Sequence, residues 1–177
     1  MNLGRIPTKT AAIDPTREAL IDIPNNRRIS FGELDGRVQR LANGLRGTLA
    51  LKKGDRVAIL SKNCIQYMEI FFACARCGLI AQPLNWRLSE LEMARILRDG
   101  EPSLLIGSED YATLVDSLAK ETTITHSLVF TSDASADYEQ LISGSAAGAV
   151  IGDDEVIGAD PALILYTGGP TGKAKGA

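Results

Sequence analysis

The chain has 177 residues, of which 45% are apolar and 23% are charged, enough to bury the core of one domain or of a large part of one. Its net charge of −3 gives no basic face for nucleic acid, and no apolar run approaches the roughly 20 residues that span a bilayer. Neither a nucleic-acid partner nor a membrane span is therefore expected. The first residues lack the apolar segment of a signal peptide, which predicts a cytoplasmic location.

The three cysteines are an odd number, which fits a reducing compartment better than a disulfide framework. Cys74 and Cys77 have C-x-x-C spacing, but they lie in the apolar stretch 70–77, which indicates a buried helix. A structural zinc site needs four ligands, and His126 is the only histidine. The thiols of Cys74 and Cys77 are expected to pack in the core, and no metal site is predicted.

A capping box predicts where the first helix begins. The Ser30 side chain can accept a hydrogen bond from a first-turn amide, and the Glu33 side chain can reach back. The apolar residues that follow at helical spacing are Leu34, Val38, Leu41, Leu45 and Leu49. Residues 53–55 break this pattern, and segment 56–60, which is apolar from Val57 to Leu60, predicts a buried strand.

The next two elements form a second helix and a second strand. A helix is predicted over 65–77, where Gly78 ends it, and a strand over 79–84. Pro83 has no amide hydrogen, which indicates that this strand ends there or lies at a sheet edge.

A second capping box, Ser89 with Glu92, predicts a helix that runs to Gly100. The remaining predicted elements are a strand over 103–106, a helix over 111–119, a strand over 127–130, a short helix over 138–142 within a long surface loop, and a buried strand over 162–166.

Strands and helices alternate along the chain, and the strands are short and apolar. This order predicts an α/β fold with a mostly parallel sheet, flanked by helices in right-handed crossovers. Ligands of such sheets bind beyond the carboxyl ends of the strands. The loop after Tyr166 is therefore expected to lie at a binding edge.

A loop rich in glycine, threonine and lysine follows the last predicted strand. Glycine lets backbone amides turn toward an anion, threonine hydroxyls donate to phosphate oxygens, and lysine adds a mobile positive charge. The candidate phosphate-binding residues are Thr167, Gly168, Gly169, Thr171, Gly172, Lys173 and Lys175. A Walker loop is disfavoured, because Thr167 stands where its first glycine belongs and Ala174 where its Ser or Thr belongs.

In its context, segment 166–176 resembles the AMP-binding signature of the adenylate-forming enzymes, Y-T-S-G-T-T-G-x-P-K-G. That superfamily contains acyl- and aryl-CoA ligases, peptide-synthetase adenylation domains and luciferase. Further similarity to the family lies in segments 30–34, 53–63, 71–78 and 83–88. Together the segments cover most of residues 28–177 and follow one another in the family's order. One motif could match by chance, but several motifs in the right order are hard to explain that way.

The resemblance implies the first subdomain of the N-terminal domain of an AMP-forming acyl-CoA synthetase, as in fatty acid metabolism. Such a ligase uses ATP with Mg²⁺ to convert a carboxylic acid into an acyl-adenylate and pyrophosphate, and coenzyme A then displaces AMP. Lys175 matches the family lysine and, as the catalytic residue, would offset charge on the leaving pyrophosphate. The nucleotide-binding groups implied by position are the hydroxyls of Thr167 and Thr171, the amides of Gly168, Gly169 and Gly172, and the auxiliary cation Lys173.

Three positions depart from the family pattern. Gly168 replaces a serine and Pro170 a threonine, so two hydroxyl donors are lost, and Pro170 also lacks a backbone N–H. Ala174 replaces a proline, which makes the loop less stiff. We therefore expect weaker ATP binding than in a relative with the full pattern.

Residues 1–177 are expected to form a partial N-terminal AMP-binding domain, truncated just after the phosphate loop and inactive alone. Such a piece would leave a sheet edge exposed and could self-associate through it. The alternative is a non-catalytic module on a ligase scaffold that binds a nucleotide or a protein partner. Outside the loop, Trp86 is predicted to be a packing anchor and Arg87 an ion-pair partner within the fold.

Overall fold

The computed structural model describes residues 2–168 and 174–177. Its helices are α1 (Ile6–Ile13), α2 (Phe31–Asn43), α3 (Ile65–Arg76), α4 (Glu90–Gly100), α5 (Ala112–Glu121) and α6 (Asp137–Ser143). Its strands are β1 (Glu18–Asp22), β2 (Arg27–Ser30), β3 (Arg56–Leu60), β4 (Ile80–Pro83), β5 (Leu104–Ser108), β6 (His126–Phe130), β7 (Tyr166–Gly168) and β8 (Ala174–Gly176).

A four-stranded parallel sheet in the order β4-β3-β5-β6 forms the centre of the fold. Ala58 on β3 pairs with Gln82 on one side and Leu105 on the other. The chain therefore winds outward from β3 in both directions, through α3 to β4 and through α4 to β5. This arrangement confirms the predicted α/β class, with a mostly parallel sheet flanked by helices.

The two faces of the sheet bury two separate cores, because successive strand residues point to opposite faces. Ile59 and its alternating neighbours pack against α2, α3 and α6, whereas Leu60 and its alternating neighbours pack against α4 and α5. Both side chains are fully buried. Strands covered on both faces read as continuous apolar runs, which is why residues 56–60 were predictable as a buried strand.

Both predicted capping boxes are present. The Ser30 amide donates to Glu33 Oε2 at 2.7 Å, and the Ser89 amide donates to Glu92 Oε2 at 2.9 Å. The first helix does not continue to Leu49, however, because residues Gly44–Thr48 form a π-helical turn that ends it. Pro83 is the last residue of β4, at the end of the strand as predicted.

The buried strand predicted over 162–166 is wrong in length and in burial. Leu163 makes a single parallel bridge to Ala81, with the Ile164 amide donating to the Ala81 carbonyl at 2.9 Å. The next backbone groups pair elsewhere: Leu165 and Ala177 exchange two hydrogen bonds of 2.9 Å. The antiparallel partner therefore draws the chain away from the parallel sheet, and Leu165 is 47% exposed.

The amino-terminal elements η1 (Leu3–Arg5), α1 and the β1–β2 hairpin were not predicted. The long loop after α6 was predicted to be a solvated surface loop, but part of it contacts the amino-terminal residues. Asp153 in that loop accepts from Asn2 Nδ2 at 2.9 Å and forms ion pairs with Arg5 and Arg76. These contacts join the amino terminus, α3 and the loop.

Candidate phosphate-binding hairpin

The segment predicted to bind phosphate begins and ends in an antiparallel pair of short strands, β7 and β8. Thr167 lies opposite Lys175, and Gly168 lies opposite Ala174. The strand pair is separate from the parallel sheet, so the expectation that the loop follows the carboxyl end of a sheet strand is not met. The pairing of Leu165 with Ala177 extends the hairpin toward the body of the fold.

The structure brings together three of the predicted site residues. Thr167, Gly168 and Lys175 are all exposed, and the cross-strand register places Thr167 beside Lys175. A Cβ atom added to Gly168 would meet none of the described residues within 4 Å, so the family serine would fit against them. The other predicted residues, Gly169, Thr171, Gly172 and Lys173, lie outside the described residues, as does Pro170.

Tyr166 attaches this hairpin to the body of the fold. Its hydroxyl donates to Asp99 Oδ2 at 2.6 Å, and its ring packs against the core between the sheet, α4 and α5. Burial, together with the neighbouring Asp99 carboxylate, raises the pKa of Tyr166 to about 12. The hydroxyl therefore keeps its proton at neutral pH and acts as the donor.

Sequence reasoning missed Asp99, although one signal was available. Asp99 lies in the last turn of α4, where the helix dipole disfavours a carboxylate. A carboxylate at such a position is a candidate for a specific partner elsewhere in the fold. That partner, Tyr166, is 67 residues away in the chain, so the sequence alone could not identify it.

Trp86 is the packing anchor that was predicted, but Arg87 is not an ion-pair partner. Trp86 is half-buried against the core of α4 and α5. The Arg87 guanidinium carbon lies 4.0 Å from the centroid of the Trp86 ring, and Lys62 Nζ lies 5.6 Å from it. Arg87 makes no ion pair within the described residues and instead stacks on the indole of Trp86.

A cavity of about 610 Å³ lies where three parallel strands end. Its lining includes Ser61 after β3, Ser108 at the end of β5 and Thr131 after β6. This is the edge at which ligands of parallel sheets usually bind. None of the described residues predicted to bind phosphate lines it.

The hairpin suits a polyphosphate better than a metal ion. Thr167 offers a hydroxyl donor and Lys175 a cation, and both act on anionic oxygens. Magnesium requires oxygen ligands, chiefly carboxylates and phosphates. Over residues 2–168 and 174–177, no three His, Cys, Asp or Glu side chains cluster so that they could hold a metal ion. The same residues contain no helix long and apolar enough to cross a membrane.

Comparison with known proteins finds a matching family model and several relatives. A family model described as AMP-binding enzyme matches residues 8–177. The chain is 34% identical over 180 residues to a feruloyl-CoA synthase from Amycolatopsis, covering 99% of this chain and 32% of that protein. It is 34% identical over 179 residues to an indoleacetate–CoA ligase from Aromatoleum aromaticum, covering 100% of this chain and 34% of that protein.

Solved structures agree in fold. A fatty acyl-CoA synthetase from Mycobacterium tuberculosis superimposes with a TM-score of 0.83 at 26% identity, covering 99% of this chain and 34% of that one. ATP-bound MatB from Rhodopseudomonas palustris superimposes with a TM-score of 0.81 at 27% identity, with the same coverage of 99% and 34%. The chain thus spans about a third of the length of these relatives.

Proposed function

Since the chain belongs to the AMP-binding enzyme family, we propose that it is the N-terminal part of an ATP-dependent carboxylic acid–CoA ligase. In the proposed reaction, a carboxylate oxygen attacks the α-phosphorus of ATP, which forms an acyl-adenylate and releases pyrophosphate. The thiol of coenzyme A then attacks the acyl carbon and releases AMP. The 34% identity to two proteins named as CoA ligase or synthase supports this reaction class over other adenylate-forming chemistry.

One observation carries the proposal: the Thr167 hydroxyl and the Lys175 ammonium are cross-strand neighbours on an exposed hairpin. We infer that Thr167 donates to the β- and γ-phosphates of ATP and that Lys175 offsets the charge that develops on pyrophosphate. The amides of Gly168, Gly169 and Gly172 and the hydroxyl of Thr171 are also proposed to donate to the phosphates. Lys173 is proposed as an auxiliary cation.

The remaining parts of the proposal rest on the family. Mg²⁺ would accompany ATP, and coenzyme A would accept the acyl group. Residues 1–177 would form a partial N-terminal AMP-binding domain without ligase activity of its own, because they span about a third of their relatives. A cytoplasmic location is proposed as well, since the three cysteines, Cys64, Cys74 and Cys77, are free thiols. A role in fatty acid metabolism is a further part of the proposal.

Titration of the chain with sodium tripolyphosphate and with ATP, followed by calorimetry, tests the proposal. We expect saturable binding of both anions that weakens as salt is added, because the contacts are charged. We also expect no carboxylate-dependent exchange between ATP and pyrophosphate. Absence of binding would favour the alternative of a protein-binding module, and clear exchange would show that the chain is active alone.

Replacing Pro170 by threonine is expected to tighten ATP binding about tenfold, because the change restores a backbone N–H and a hydroxyl donor. Pro170→Ala restores the N–H alone and should give an intermediate dissociation constant. Calorimetric titration of the three proteins measures the series. If Pro170→Thr binds ATP no better than the original chain, the departures in this loop do not limit affinity.

A further inference from the structure

Tyr166 and Asp99 connect the candidate site to the body of the fold. We propose that they are a positioning pair, which holds the β7–β8 hairpin against α4 so that Thr167 and Lys175 face a bound polyphosphate. The proposal rests on the proposed function and adds two residues to it. Neither residue would touch the ligand; both act through the hairpin.

The two faces of the hairpin have different surroundings. Because successive strand residues point to opposite faces, Tyr166 and its cross-strand partner Gly176 lie on the face opposite to Thr167 and Lys175. Tyr166 is partly buried against the core of α4 and α5, whereas Thr167 and Lys175 are exposed. Docking the tyrosine face therefore turns the threonine and the lysine outward.

Tyr166 contacts both strands of the hairpin as well as α4. A Cβ atom added to Gly176 would lie 3.1 Å from Cζ of Tyr166, so the ring covers the opposite strand closely. The hydroxyl of the same ring reaches Asp99 Oδ2 at 2.6 Å. Across the described residues of the hairpin, this is the side-chain hydrogen bond that joins it to a helix.

The position of Asp99 argues that the contact serves the hairpin rather than the helix. A carboxylate in the last turn of α4 faces the negative end of the helix dipole and weakens the helix slightly. Removing the carboxylate should therefore leave the helix as stable or more stable. A loss that appears only in the hairpin and in ligand binding would separate positioning from a general structural role.

The test uses the whole chain with four variants: Tyr166→Phe, Asp99→Ala, Asp99→Asn and, as control, Tyr111→Phe. Tyr111 packs against the same core but makes no side-chain hydrogen bond within the described residues. Tripolyphosphate and ATP affinities are measured by calorimetry. Hydrogen exchange at the amides of Leu165 and Ala177, which bond to each other's carbonyls, reports the docking of the hairpin.

We expect Tyr166→Phe and Asp99→Ala to bind both anions about threefold to tenfold more weakly, because affinity falls with the fraction of docked hairpin. Hydrogen exchange at the amides of Leu165 and Ala177 should become faster in both variants. The urea midpoint of each variant should equal that of the original chain within experimental error. Asp99→Asn keeps an acceptor for the tyrosine hydroxyl and should recover most of the affinity. Tyr111→Phe should match the original chain.

Two results would overturn the proposal in different ways. If exchange quickens in Tyr166→Phe but both affinities are unchanged, the pair merely stabilises the hairpin, and the proposed function stands. If the original chain binds neither anion, the proposed function and the positioning role fail together.

Discussion

Replacing Arg37 by alanine is expected to lower the free energy of unfolding by about 3–5 kcal/mol, the cost of leaving a buried charge without its partner. The Arg37 guanidinium binds Glu69 at 2.5 and 3.0 Å and Glu139 at 2.7 and 3.0 Å. Glu69 is fully buried, and it also accepts from the Tyr138 hydroxyl at 2.9 Å. The variant would leave the Glu69 carboxylate with one neutral donor.

The electrostatics of this cluster agree with the expected loss. Burial lowers the pKa of Arg37, but the hydrogen bonds that its guanidinium donates to Glu139 and Glu69, with the charges of both carboxylates, outweigh burial and raise the pKa above its ordinary value. Burial, followed by the charge of Glu69, raises the pKa of Tyr138 well above its ordinary value, so this hydroxyl stays a donor. Since Arg37 lies on α2, Glu69 on α3 and Glu139 on α6, the cluster joins three helices.

Urea denaturation of Arg37→Ala beside Arg98→Ala provides the measurement and its matched control. Arg98 pairs with Glu121 at 3.8 Å, and the two side chains are 51% and 52% exposed. Solvent screens such a pair, so Arg98→Ala should change stability by less than about 1 kcal/mol. Equal effects of the two substitutions would show that the buried cluster contributes no more than a surface ion pair.

Replacing Lys175 by alanine is expected to weaken tripolyphosphate binding about 10- to 100-fold, because one charge-assisted contact to the ligand is lost. Lys175 is exposed and forms no ion pair in the described part of the chain, so the unfolding midpoint should not move. Lys175→Arg keeps the charge and should retain most of the affinity. Orthophosphate should bind the original chain more weakly than tripolyphosphate does. Its affinity should therefore fall less in Lys175→Ala.

Lys120→Ala is the control for this variant, since Lys120 is an exposed lysine on α5 far from the hairpin in the chain. It should bind tripolyphosphate as the original chain does. Titration at two salt concentrations adds a further check, because the difference between Lys175→Ala and the original chain should shrink as salt screens the charge. Equal losses in Lys120→Ala and Lys175→Ala would indicate general attraction of anions rather than a site.

Local sequence patterns predicted the central parallel sheet and its helices. They did not predict the amino-terminal elements and hairpins that pack around this centre. Ser30 and Ser89 could be predicted as helix caps, because a capping box is complete within four residues. The β1–β2 hairpin was missed, because its strands have only five and four residues and lack a regular alternation of apolar and polar side chains. Within the hairpin, only the turn at Asn26, with a φ of 47°, departs from ordinary backbone. Asn25 and Asn26 were the available turn signal.

The candidate site divides in the same way. Thr167 and Lys175 were identified as phosphate-binding candidates from the composition of the loop and from its resemblance to the family signature, and their roles stay predictions. Their placement on a separate hairpin could not be predicted, because it depends on whether the chain after Leu163 continues alongside β4 or turns to pair with Ala177. Either course would satisfy backbone hydrogen bonds, and only the whole fold decides between them.

The strand order also constrains how the chain folds during synthesis. β3 leaves the ribosome first among the strands of the parallel sheet, yet it becomes the interior strand only after β4 has joined one side and β5 the other. Until residue 108 has emerged, one edge of β3 keeps its amide and carbonyl groups unpaired, together with apolar side chains on both faces. The nascent chain therefore keeps an unpaired apolar strand edge until β5 has emerged, and a chaperone that binds apolar strands would act in that interval.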